Sequence, residues 1–121
     1  MTIRIRLSFI LMLSLTRVLA HDVAAETVWL DELPMNLSEC GWNSTKQNQS
    51  VEGNPLKIGG KTYVRGVGTH PPGAIYLQLA GGTSRFSALV GIDDEVGKAG
   101  SAEFLVVGDG KTLWKSDVKH G

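Results

Sequence analysis

The chain has 121 residues, 12 basic and 12 acidic side chains, a hydrophobic share of 42% and a single cysteine. Balanced charge argues against nucleic acid or an anionic membrane as the main partner, since both demand a basic surplus. One cysteine excludes an intrachain disulfide, so stability has to come from a packed core or a bound ion.

The first twenty residues differ from the rest. MTIRIR carries Arg4 and Arg6 and no acid, LSFILMLSLT is a short apolar run, and Val18-Leu19-Ala20 puts small residues before a cut. That order is the pattern of a secretory signal peptide, and the apolar run is too short for a membrane span of roughly 20 residues. Residues 1–20 are therefore expected to be a leader, with secretion to the periplasm, the medium or the cell surface and no membrane contact after cleavage. The remainder carries 9 basic against 12 acidic residues, because the leader holds three of the arginines. Its length suits one domain with one core.

Beyond the leader, short segments rich in Val, Ile, Leu, Phe and Tyr alternate with glycine turns. No long stretch has helical periodicity, so the pattern predicts an all-β sandwich or barrel. Val28-Trp29-Leu30 reads as an entry strand, and DELP turns out of it. Residues 38–50, SECGWNSTKQNQS, read as a polar loop around Trp42. Leu56 to Ile58 and Lys61 to Gly66 form a predicted hairpin across Gly59-Gly60, a pair suited to positive φ. GVGTHPPG, residues 66–73, cannot be helical. Ala74 to Leu79 alternates, with Ile75, Leu77 and Leu79 on one face. Arg85 to Ile92 is the plainest strand, with Phe86, Ala88, Val90 and Ile92 on one face. Ser101 to Val107 and Lys111 to Trp114 flank Asp109-Gly110, a second hairpin signal. A sandwich sheet needs a further return strand to cover its edge, so the domain is expected to be incomplete at its C-terminal end. Three Asn-x-Ser/Thr triplets (NLS, NST, NQS) read as glycan acceptors only in a eukaryotic secretory pathway.

Several residues are candidates for chemistry. VGIDDEVG places Asp93, Asp94 and Glu95 side by side where a strand meets a loop. Like charges so close call for compensation by a cation, a basic group, backbone N–H groups or water. Calcium is one reading, because it takes carboxylates in flexible geometry, although adjacent residues on an extended chain point to opposite faces. Turn capping by Asp93 and Asp94 with a solvated Glu95 is the other. His70, in GTHPP, is either a hydrogen-bonding group for a ligand or a loop closure onto backbone. Trp42 is either a stacking surface for a pyranose or a plug for the end of the sandwich. Trp29 and Trp114 read as core or sheet-surface residues, and Cys40 as a small buried residue. No GxSxG, HExxH or Cys/His signature occurs, so no catalytic residue is assigned. Asp93 or Asp94 with Glu52 or Glu103 would serve as a glycosidase pair only at a defined separation, which the sequence does not supply.

Four ordered blocks carry a resemblance: GNPLKIGGKTY, GVGTH, RFSALVGIDDE and GSAEFLVVGDG. Together with WLDEL and the GW of Gly41-Trp42, they make residues 26–121 similar to the NPCBM domain, also classed as carbohydrate-binding module family 51. The resemblance implies a galactose-binding-like jelly-roll β-sandwich that binds galactose-containing glycans, without catalysis, as an appendage to glycoside hydrolases. It also implies, in some members, a structural calcium, and a domain that continues past residue 121. Because TH and DDE are shared blocks, it implies a common corner with His70 near the carboxylates. Two departures stand in loops: GWN in place of GWG, and THPPG in place of a shorter loop with one proline. The expected ligand-binding residues are thus Trp42, His70, Asp93 and Asp94, and the expected calcium ligands Asp93, Asp94 and Glu95. The rival expectations are a protein-interaction sandwich without sugar binding and an accessory fragment of a glycoside hydrolase.

Overall fold

The computed structural model describes Arg4–Ile5 and residues 26–121 apart from Ala80. The leader reading of residues 1–20 lies outside the described residues, save for Arg4–Ile5, placed as strand β1. The described residues are all-β with two 3-10 segments, Leu30–Glu32 and Asp94–Ala99. The further strands are β2 (Lys46–Gln47), β3 (Leu56–Ile58), β4 (Lys61–Tyr63), β5 (Val67–Gly68) and β6 (Gln78–Leu79). Then come β7 (Ser101–Ala102), β8 (Leu105–Gly108), β9 (Lys111–Lys115) and β10 (Lys119–His120).

Both predicted hairpins form. In β3–β4, Gly59 and Gly60 take φ of 57° and 81°, the double positive-φ turn whose twist matches the flanking strands. In β8–β9, Asp109 and Gly110 do the same at 46° and 80°, and a bulge falls between Val106 and Val107. Three further ladders are short: β2 antiparallel to β5, β7 antiparallel to β10, and β1 parallel to β6.

The core is small. Ile75 and Leu77 are buried, with Leu30, Leu33, Met35, Val67, Leu79 and Val106 packed against them. The alternation read in residues 74–79 thus places its apolar face inward as expected. Among the described residues no helix is long and apolar enough to cross a membrane.

Three expectations are corrected. Val28–Leu30 is not a strand: the chain enters extended and tightens into the 3-10 turn at Leu30–Glu32, closed by Glu32 N–H to the Trp29 carbonyl at 3.0 Å. Residues 38–50 are not only loop, because Lys46–Gln47 pairs with Val67–Gly68. Arg85 to Ile92 joins no ladder among the described residues, and Leu89 is 66% exposed. Alternation says which face of a segment is apolar; it does not supply the neighbouring strand that a ladder requires.

Candidate functional site

Two loops meet at one corner of the fold. The first carries Glu39 to Asn43, the second His70 to Ala74. Glu39 and Ala74 exchange backbone hydrogen bonds at 2.7 and 2.9 Å, and Gly41 N–H donates to the His70 carbonyl at 2.9 Å. The approach is so close that a Cβ on Gly41 would lie 2.5 Å from the Pro71 carbonyl oxygen. Only glycine fits there. Cys40 is the clasp between the loops: His70 N–H donates to its sulfur at 3.2 Å, and its thiol donates to the Trp42 carbonyl at 3.0 Å. Burial pushes the Cys40 thiol up, but hydrogen bonds from Thr69, from the backbone of His70 and Trp42, and from Thr45 outweigh it and hold the group below its ordinary value.

These contacts present two side chains together. Trp42 is 52% exposed, and the His70 ring meets it edge-on with centroids 6.0 Å apart. His70 Nδ1 lies 2.6 Å from the Pro71 carbonyl. A carbonyl can only accept, so Nδ1 carries the proton, and in the neutral ring Nε2 is the acceptor. Loop closure onto backbone, one of the two expectations for His70, is thus met by Nδ1. Thr69, exposed beside it, shares a 3.3 Å contact with the Thr45 hydroxyl. Trp42 does not plug the sandwich. The corner offers a flat apolar ring edged by hydroxyl and imidazole groups.

The three carboxylates do something else. Asp93 accepts from Lys57 N–H and from Glu95 N–H, each at 3.0 Å, the second bond capping the 3-10 segment that follows. Asp94 spans the β3–β4 turn, its two oxygens accepting from Gly59 and Gly60 N–H at 2.8 Å each. Glu95 accepts from the Ser50 hydroxyl at 2.5 Å and from the Asn54 amide at 3.1 Å. The divergence of neighbouring side chains gives each carboxylate its own set of donors. Backbone N–H, hydroxyl and amide donors offset their crowding. Calcium at this corner would have to share these oxygens with the N–H and O–H donors already on them. No group of three or more His, Cys, Asp or Glu among the described residues is placed to hold a metal. An open cleft of 400 Å³ lies over this corner, bordered by Asn54, Pro55, Lys57 and Thr62.

The common corner expected of His70 and the carboxylates involves no direct contact between them. Among the described residues no hydrogen bond or ring contact joins His70 or Trp42 to Asp93, Asp94 or Glu95. Their connection is indirect. Asn43, next to Trp42, donates its amide to the Val51 carbonyl at 2.9 Å, and Ser50 is the residue that holds Glu95.

A third cluster has no forerunner in the sequence reading. Arg65 lies over the Trp29 ring at 4.7 Å and pairs with Asp31 at 3.0 Å and with Glu32. Burial pushes the Asp31 carboxyl up, but bonds from Arg65, from its own backbone and from Asn48 outweigh that and hold it below its ordinary value. Arg65 is itself raised by its two carboxylate partners, Glu32 foremost. The cluster fastens the DELP turn to the β4–β5 connection. Nothing in local spacing joins residues 34 positions apart.

Residues 26–121 match the family model described as the NPCBM/NEW2 domain. The chain is 38% identical over 87 residues to a "Putative endo-alpha-N-acetylgalactosaminidase" of Renibacterium salmoninarum, covering 67% of this chain and 6% of that protein. It is 36% identical over 88 residues to alpha-1,3-galactosidase B of Akkermansia muciniphila, covering 71% of this chain and 11% of that one. Among solved structures, it resembles that of CBM51-2 in complex with GlcNAc and INT domains from Clostridium perfringens ZmpB. The TM-score is 0.54 at 25% identity, over 76% of this chain and 21% of the other. The shared architecture is a β-sandwich. The chain spans only a small part of each of these proteins.

Proposed function

The chain belongs to the NPCBM/NEW2 domain family of non-catalytic carbohydrate-binding modules, and on that premise we propose that it recognises galactose-containing glycans through the Trp42–His70 corner. The observation that carries the proposal is the half-exposed Trp42 ring set beside His70 on two mutually fastened loops. A pyranose buries its apolar face on an indole, and neighbouring polar groups read its hydroxyls. His70 meets one hydroxyl through Nε2, and the Thr69 hydroxyl supplies a second contact. One sugar buries little area, so affinity should be weak, on the order of 0.1–1 mM. The relatives' names, one an N-acetylgalactosaminidase and one a galactosidase, support a galactose-type ligand and a place beside a glycosidase catalytic domain. The basic and apolar start of the sequence supports export. Asp93 and Asp94 leave the ligand set, because their oxygens are engaged within the fold.

Weak-affinity chromatography tests this. The chain should be retarded on immobilised galactose, and Trp42→Ala should elute unretarded. Equal retention of both would overturn the assignment. A protein-interaction role without sugar binding draws support from Leu89, Leu113 and Val118, all more than half exposed. Elution of the native chain without delay on galactose, N-acetylgalactosamine and GlcNAc supports would favour that second reading.

A further inference from the structure

Trp42 is fastened on one side by the Cys40 thiol and the Gly41–His70 backbone bond. Asn43 fastens the other side. Its φ is 60°, a left-handed conformation that asparagine tolerates better than most side chains. A glycine would adopt it with no strain at all, so backbone shape alone does not call for asparagine. What asparagine adds is the amide, which donates to the Val51 carbonyl eight residues on, at 2.9 Å.

That carbonyl is well anchored. Val51 is 8% exposed and Ser50, beside it, only 1%. Ser50 exchanges bonds with the following turn: its N–H donates to the Asn54 carbonyl at 2.8 Å and its carbonyl accepts from Gly53 N–H at 2.9 Å. Its hydroxyl accepts from Asn54 N–H at 3.1 Å and donates to Glu95 at 2.5 Å. A continuous chain of contacts therefore runs from Trp42 through Asn43, Val51 and Ser50 to Glu95.

We infer that Asn43 is a positioning residue for the ligand platform, tying the exposed Trp42 to the buried Ser50–Val51 knot and through it to the carboxylate corner. The role rests on the sugar-binding assignment of Trp42. An indole free to swing must be immobilised when a sugar stacks on it; one already held loses less on binding. Glu95 then contributes to recognition without touching ligand.

The test uses chains in which Trp29 and Trp114 are phenylalanine, so that Trp42 is the sole indole and its fluorescence depolarisation reports its motion. Asn43→Gly keeps the backbone conformation and removes the tether. Asn43→Asp keeps the shape and replaces the donor by an acceptor facing a carbonyl. Both should increase the fast depolarising component of Trp42 and weaken galactose binding by about three- to tenfold, with a cooperative melt retained. Native depolarisation in both variants would overturn the tether, whatever happens to affinity. Increased motion with unchanged affinity, where Trp42→Ala abolishes binding, would overturn the positioning role alone. Unchanged galactose affinity in Trp42→Ala would instead overturn the sugar site, and the depolarisation comparison would still decide the tether.

Discussion

Replacing Glu95 with alanine removes the acceptor of the most buried hydroxyl in the described fold. Ser50 is 1% exposed, and its hydroxyl reaches Glu95 at 2.5 Å. A hydrogen bond to a charged group contributes about 1.5–3 kcal/mol, and a buried donor left without a partner costs a similar amount. The Asn54 amide, also lost as a partner, is exposed and turns to water, so it adds little. The Ser50 oxygen keeps its bond from Asn54 N–H at 3.1 Å. Glu95→Ala should therefore destabilise by about 2 kcal/mol, a drop of roughly 8–16 °C in melting temperature for a domain of this size. Ser50→Ala removes the same bond from the other end, leaving a carboxylate that water can reach. The two should not add: a double-mutant cycle should return a coupling of about 1–2 kcal/mol. Urea unfolding followed by circular dichroism, at constant m, measures each corner of the cycle. Additivity to within about 0.3 kcal/mol would refute the reasoning and reduce the carboxylate corner to a solvated loop.

Asp94→Ala should free the β3–β4 turn without unfolding the chain, seen as faster amide exchange at Gly59 and Gly60; unchanged protection there would remove Asp94 as the staple. Asp31 has a folded pKa below its ordinary value of 3.8, so its stabilising effect is complete above that value and is lost as pH falls through the folded one. Native chain should accordingly lose more stability than Asp31→Asn between neutral pH and pH 2, and identical acid profiles would contradict the clasp with Arg65. Gly41→Ala should separate the two site loops, because its Cβ would lie 2.5 Å from the Pro71 oxygen. It should abolish galactose binding, and retention of native affinity would show that the loops need not touch.

Turn chemistry and alternation were legible in the sequence. Gly59-Gly60 and Asp109-Gly110 sit where only special backbone conformations close a hairpin, so two residues decide the local fold. Ile75 and Leu77 declare the core by period alone. Arg85 to Ile92 carries an equally good alternation and joins no described ladder, because partnership is a property of a neighbour and not of the segment. At the site, exposure of an aromatic in a Gly- and Asn-bearing loop pointed to Trp42, and the rigid THPP setting pointed to His70. The carboxylates were visible but ambiguous: a row of acids looks the same whether it faces a cation or backbone N–H groups, and all the donors but Glu95 N–H come from residues 50 to 60. The Trp29–Arg65–Asp31 clasp left no local sign, since its members are brought together only by the fold.

The most direct measurement is a calorimetric titration of galactose into the chain, into Trp42→Ala and His70→Ala, and into Asp94→Ala. The account predicts saturable binding, on the order of 0.1–1 mM, that disappears in the first two variants and persists in the third. Binding that survives loss of Trp42 and His70 but fails in Asp94→Ala would contradict it, moving the site to the carboxylate cleft.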